Sequence, residues 1–259
     1  MRLIVFAGPS LHGTAALAAT GLYLAPPAKC GDVMQAALAG YDVIGLIDGV
    51  FESGPAVWHK EILFALELGC RVFGAASMGA LRAAECWPFG MTGIGAIFED
   101  YRTARRTADA DVALVHGPAE TNYLPLTIPL VDVADIIARM LNAGIIDAPL
   151  AMTLDDLARN TYFKSRTWQA LLSGAGLSAS LRASILQWIE GSGPAAKARD
   201  ALLLIERLAH LAKASEAAER GSDASRVFGA LIKPESRGAP TGAFMHTQFS
   251  ARLLQGLGG

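Results

Sequence analysis

The chain has 259 residues, 52% of them hydrophobic and 18% charged, with a formal net charge of −2. That balance belongs to a globular protein with a substantial core and excludes a disordered chain. It leaves no electrostatic footprint for nucleic acid, and no apolar run approaches the ~18 residues of a membrane span.

The opening run Leu3–Ala7 is too short for a signal peptide and reads as a first strand. Further strands are predicted at Leu22–Leu24, Val43–Ile47, Arg71–Gly74 and Val112–Val115, and helices at Asp32–Ala39, Ala56–Leu68 and Met78–Cys86. The helix over 56–68 has Ser53 near its start and Gly69 at its C-cap. Strands alternating with helical patterns are the signature of βαβ units, so residues 1–128 are read as an α/β domain with a mainly parallel sheet flanked by helices. From 129 to 215 the spacing becomes helical, as in Val133, Ile136, Ile137, Met140 and Leu141, and again in Leu181, Ile185, Trp188 and Ile189. Residues 216–259 carry no clear period and read as an extended or poorly ordered tail. Cys30, Cys70 and Cys86 lie far apart, with no C-x-x-C and no His/Cys cluster. This pattern predicts reduced thiols, a cytoplasmic location and no metal site.

Open parallel sheets bind ligands outside the carboxyl ends of their strands. In this sequence the predicted strands are followed by Ser10, by Asp48, by Ser77 and by His116. These four residues are expected to line one rim cleft. Ala75–Gly79, "AASMG", has the small-x-Ser-x-Gly form of a nucleophile elbow, with alanine in the first position. The Met78 N–H, at a helix N-terminus, would face a developing oxyanion. The bland alternative makes Ser77 an N-cap and Gly79 a close-packing residue. A serine nucleophile needs a base, and His59 and Lys60 sit on the preceding helix about 100° apart. Lysine has the longer reach but needs the desolvation that Val57, Leu63 and Phe64 could supply, whereas histidine needs none. Lys60 is favoured as base or oxyanion cation, with His59 orienting substrate or partner. Arg82 either pairs with Glu85, three residues on, or contacts an anionic partner.

"FAGPSL", "IDGVF", "VWHKEILFALELG", "GAASMGALRAAE", "GIGAIFEDYR" and "DVALVHGPAE" occur in that order, and over residues 3–135 the chain resembles the TfuA family. The resemblance implies a partner of a YcaO-family enzyme, which activates a peptide-backbone amide with ATP, here for thioamidation of a peptide or protein. It implies hydrolysis of a thiocarboxylated ThiS-like carrier to release sulfide, a reaction for which the residues read above make Ser77, Lys60 and His59 the catalytic candidates. Ser10, Asp48, Met78, Gly79, Arg82 and His116 would bind substrate, with no cofactor in this chain. The alternative is a non-catalytic subunit that binds and activates the YcaO enzyme. A nucleotide site is disfavoured, because "GPSLHG" lacks both phosphate-loop patterns.

Overall fold

The computed structural model describes residues 1–14, 22–52 and 54–231, with side chains through residue 218. Ser53, expected near a helix start, and most of the expected tail lie outside the described residues. The chain forms two units, 1–218 and 219–259, and in the second the described residues 219–231 are helical.

Five strands form one sheet: β1 (Leu3–Phe6), β2 (Tyr23–Ala25), β3 (Val43–Leu46), β4 (Arg71–Ala75) and β5 (Thr92–Ile94). Their order is β2-β1-β3-β4-β5 and every pairing is parallel. The α/β class expected from the sequence is the class observed, with one strand misplaced. Val112–Val115 is not a strand; the fifth strand is Thr92–Ile94, beside β4. Residues 112–115 are apolar because they line a cavity wall, where Val112 and Ala113 are buried. Val115 spends its hydrogen bonds on the neighbouring loop instead, giving its N–H to Thr127 Oγ1 and accepting from Leu126 N.

Strand side chains alternate between two cores, as a sheet covered on both faces requires. Ile4, Phe6, Ile44, Leu46 and Val72 pack with α1 (Asp32–Leu38), α2 (His59–Glu67), α3 (Met78–Cys86) and α4 (Ala96–Arg102). The opposite face carries Val5, Val43, Phe73 and Ala75. A third core holds α5 (Leu130–Asn142), α6 (Ala148–Asn160), α7 (Trp168–Gly174) and α8 (Ala179–Gly191) together around Val133, Met140, Leu154, Leu172 and Ile185. The last helix, α9 (Ala196–Leu231), leaves that bundle and returns to the sheet. Its Ala201, Leu204, Ile205 and Leu208 cover the second face. Leu204 and Leu208 are fully buried, each worth about 2 kcal/mol of transfer free energy. The helix also continues through 216–231, where the composition suggested an extended tail.

Buried carboxylates fasten helix starts to this frame. Glu61 accepts from the backbone N–H groups of Gly31, Val33 and Met34 at the start of α1, and from Trp58 at the start of its own helix. Asp200 on α9 accepts from Ala96 and Ile97 at the start of α4. Removing such caps typically costs ~1 kcal/mol or more. Asp200 therefore fixes the register of α9 on the sheet, and with it the position of everything at the start of α9.

Candidate active site

The strand order reverses between β1 and β3, which opens a crevice beyond their carboxyl ends. Asp48 follows β3 there and is 2% exposed. Its Oδ2 accepts from Gly8 N (2.9 Å) and Ser10 N (3.0 Å), and its Oδ1 from Ser10 Oγ (2.7 Å). Ser10 and Asp48 are thus brought together, and the Ser10 hydroxyl is committed to shaping the loop.

Ser77 stands between β4 and α3. Ala76 before it holds φ +66°, the left-handed region that non-glycine residues rarely adopt. Such strain persists where the surroundings enforce it, and it is common at functional sites. What enforces it here is the docking of α3 on β3. Gly79 N donates to Ile47 O (3.0 Å), and a β-carbon at Gly79 would collide with Leu46 O. Ser77 occupies the N-cap position but its side chain caps nothing. Its backbone oxygen takes the Ala80 and Leu81 N–H groups, and Gly79 is spent on Ile47. Among the described residues Met78 N–H has no acceptor, so one donor at the positive end of the helix remains beside the hydroxyl.

Ser77, Asp48, Met78 and His116 line a cavity of about 390 Å³. His116 reaches it from the loop after the 3-10 turn Asp109–Asp111, its Nδ1 2.7 Å from Gly117 O and its ring edge-on to Tyr123. The fourth expected rim residue, Ser10, lines instead a second cavity of about 630 Å³ together with Thr14, Thr127 and Asp132. Lys197, near the start of α9, lines both. Its side chain is almost fully buried, donates to Val112 O (2.9 Å) and places Nζ 4.0 Å from Asp48 Oδ1. Burial pushes this ammonium below the ordinary lysine range, against the opposing pull of Asp48 and Asp132. Asp132 Oδ1 accepts from the Lys197 backbone N–H at 2.8 Å, and burial pushes its carboxyl up to about 6.

The other expected residues fall elsewhere. His59 Nε2 lies 2.7 Å from Glu85 Oε2, and Arg82 Nη1 donates to the same oxygen while its Nε donates to Val57 O. The His59 side chain is 50% exposed, Lys60 is exposed, and neither lines the cavity with Ser77. Gly79 serves close packing, as the bland reading had it. Lys197 and Asp132 were missed by sequence reasoning. The only signal for Lys197 was a lysine among alanines at the start of an apolar helix, which is ordinarily a solvated residue. Among the described residues, no group of three or more His, Cys, Asp or Glu is placed to hold a metal ion, and no helix is long and apolar enough to cross a membrane.

The family model described as TfuA-like protein matches residues 48–167, a span that includes Asp48, Ser77 and His116 and stops short of Lys197. No curated protein matches the chain.

Proposed function

We propose, from the match of residues 48–167 to the family model described as TfuA-like protein, that the chain is a thiocarboxylate hydrolase that supplies sulfide for thioamidation of a peptide backbone by a YcaO-family enzyme. The observation that carries this reading is the Ser77 hydroxyl. It is uncapped, set at a strained turn before a helix N-terminus, and shares one cavity with a buried lysine.

In this reaction Ser77 Oγ attacks the carbonyl carbon of the carrier's C-terminal thiocarboxylate, and neutral Lys197 takes the hydroxyl proton. Lys197, rather than Lys60 or His59, fills the role of base because it is the lysine that lines the Ser77 cavity while being desolvated. Met78 N–H and the α3 N-terminus stabilise the oxyanion. The Lys197 ammonium passes that proton to the thiocarboxylate sulfur, the C–S bond breaks, and hydrosulfide departs, leaving Lys197 neutral again. Water then attacks the Ser77 ester and gives a proton to Lys197, which passes it to Ser77 Oγ as the ester C–O bond breaks. The product acid loses a proton to solvent to leave an ordinary carboxylate on the carrier. His116, on the same cavity wall, is assigned to substrate contact.

The exposed pair of His59 and Glu85, backed by the largely covered Arg82 and next to Trp58 at 61% exposure, favours a second role as a docking face for a YcaO-family partner. The test of the hydrolase reading is sulfide release from a thiocarboxylated ThiS-like carrier, by wild type and by Ser77→Ala. Loss of release in the variant supports the proposal, and retention leaves docking as the function.

A further inference from the structure

Exposure rises along the walls of the Ser77 cavity. Lys197, Asp48 and Ser77 are 2–8% exposed, whereas the side chains of Glu52 and Lys164 are 42% and 48% exposed. All five line the cavity, so Glu52 and Lys164 mark its mouth. They belong to different parts of the fold: Glu52 to the loop after β3, Lys164 to the 3-10 turn Phe163–Ser165 between α6 and α7. Lys164 Nζ is 2.8 Å from Glu52 Oε2, and the Tyr162 hydroxyl donates to the same oxygen at 3.1 Å. The Phe51 and Phe163 rings meet edge to face at 5.9 Å and extend the contact inward. Glu52 holds φ +59°, so its backbone keeps an uncommon conformation while its carboxylate engages Lys164.

Lys164 lines this cavity at the mouth and Lys197 at the floor. A chain terminus carrying a carboxylate or thiocarboxylate is a monoanion with two acceptor atoms, and it meets Lys164 first. The Glu52 carboxylate already occupies that cation and has the same charge and shape as such a terminus. We propose that Lys164 is the specificity-determining cation that first receives the anionic end of the substrate at the mouth, before that end passes in to Ser77, and that Glu52 is an internal competitor the substrate displaces. This deepens the hydrolase reading and rests on it for the identity of the substrate. The exchange is feasible because an exposed ion pair is weak and salt-screened, so a better-placed anion can replace it.

The test is a double-mutant cycle on the full chain, reading KM and kcat for the thiocarboxylated carrier. Glu52→Gln should lower KM and Lys164→Met should raise it, each by about two- to fivefold. The effect should fall on KM rather than kcat, and Lys164→Arg should stay near wild type. In the Lys164→Met background, Glu52→Gln should have no further effect. If Glu52→Gln raises KM as Lys164→Met does, or if the two effects simply add, the pair is a structural clasp and the proposal falls. A second arm needs no hydrolysis. Calorimetry with Ser77→Ala should show an N-acetylated peptide ending in two glycines binding more tightly as the free acid than as the amide, with that preference absent in Ser77→Ala/Lys164→Met. Equal binding of acid and amide overturns the proposal. A preserved acid preference alongside absent sulfide release would overturn the hydrolase reading alone.

Discussion

Lys197 Nζ lies 4.0 Å from Asp48 Oδ1, with both side chains almost fully buried. Asp48 already accepts three hydrogen bonds from Gly8 and Ser10, so it does not depend on the lysine for its solvation. The lysine, in turn, has a neutral carbonyl, Val112 O, as its short contact. An ammonium held this loosely gains too little to offset desolvation, which is why its proton is easier to remove than in water.

Lys197→Met should therefore lower sulfide release by ~10²–10⁴-fold, the range for loss of a general acid–base group. Lys197→Arg should not restore it, because guanidinium stays protonated. In the wild type the active form is neutral lysine, so the rate should rise with pH up to the depressed Lys197 value and then level off. A pH–rate profile unaltered by Lys197→Met would remove the lysine from the mechanism.

Asp132 gives a stability prediction. Its folded pKa of about 6 is above its unfolded value, so the folded state binds more protons between those values. The contribution is fully present below the unfolded pKa and is lost as pH rises through about 6. Asp132→Asn keeps the acceptor for Lys197 N–H and removes the titration. Urea unfolding should show the variant gaining on wild type between pH 4 and 7 by roughly 1–3 kcal/mol. A constant difference across that range would contradict the assignment.

Gly79→Ala should destabilise the protein by at least about 3 kcal/mol, since the added methyl meets backbone of β3 rather than a movable side chain. Thermal unfolding would read this directly. A variant within 1 kcal/mol of wild type would mean that α3 is not held against β3 as described.

His59→Ala and Lys60→Met should each keep carrier hydrolysis within about threefold of wild type, because an exposed ion pair of the His59–Glu85 kind contributes little. Their effect should appear instead in affinity for the proposed YcaO-family partner. A thousandfold loss of sulfide release in either variant would return the base to α2.

The elements legible in the sequence were those whose environment is uniform. β1, β3 and β4 are buried on both faces and read as short apolar runs, and α3 reads from its spacing. β5 did not read as a strand because Thr92-Gly93-Ile94 is short and carries a glycine, which leaves room for the Phe98 ring. Val112–Val115 looked like a strand because burial at a cavity wall and burial in a sheet select the same residues. Within the site, Ser77 and Asp48 were legible because strand ends announce themselves. The lysine proposed as base was not, since the cluster at 58–61 turns only Glu61 inward, and it does so to cap helices. Lys197 reaches the cavity through the return of α9 to the sheet, a tertiary event that no local pattern encodes.

The central claim is that Ser77 is the nucleophile, and the most direct measurement is single-turnover sulfide release from a thiocarboxylated carrier, with intact-mass detection of the enzyme during the turnover. The account predicts a transient carrier–enzyme ester on Ser77 in the wild type, and neither ester nor release above roughly one-thousandth of the wild-type rate in Ser77→Ala. Release at an undiminished rate by Ser77→Ala would contradict it.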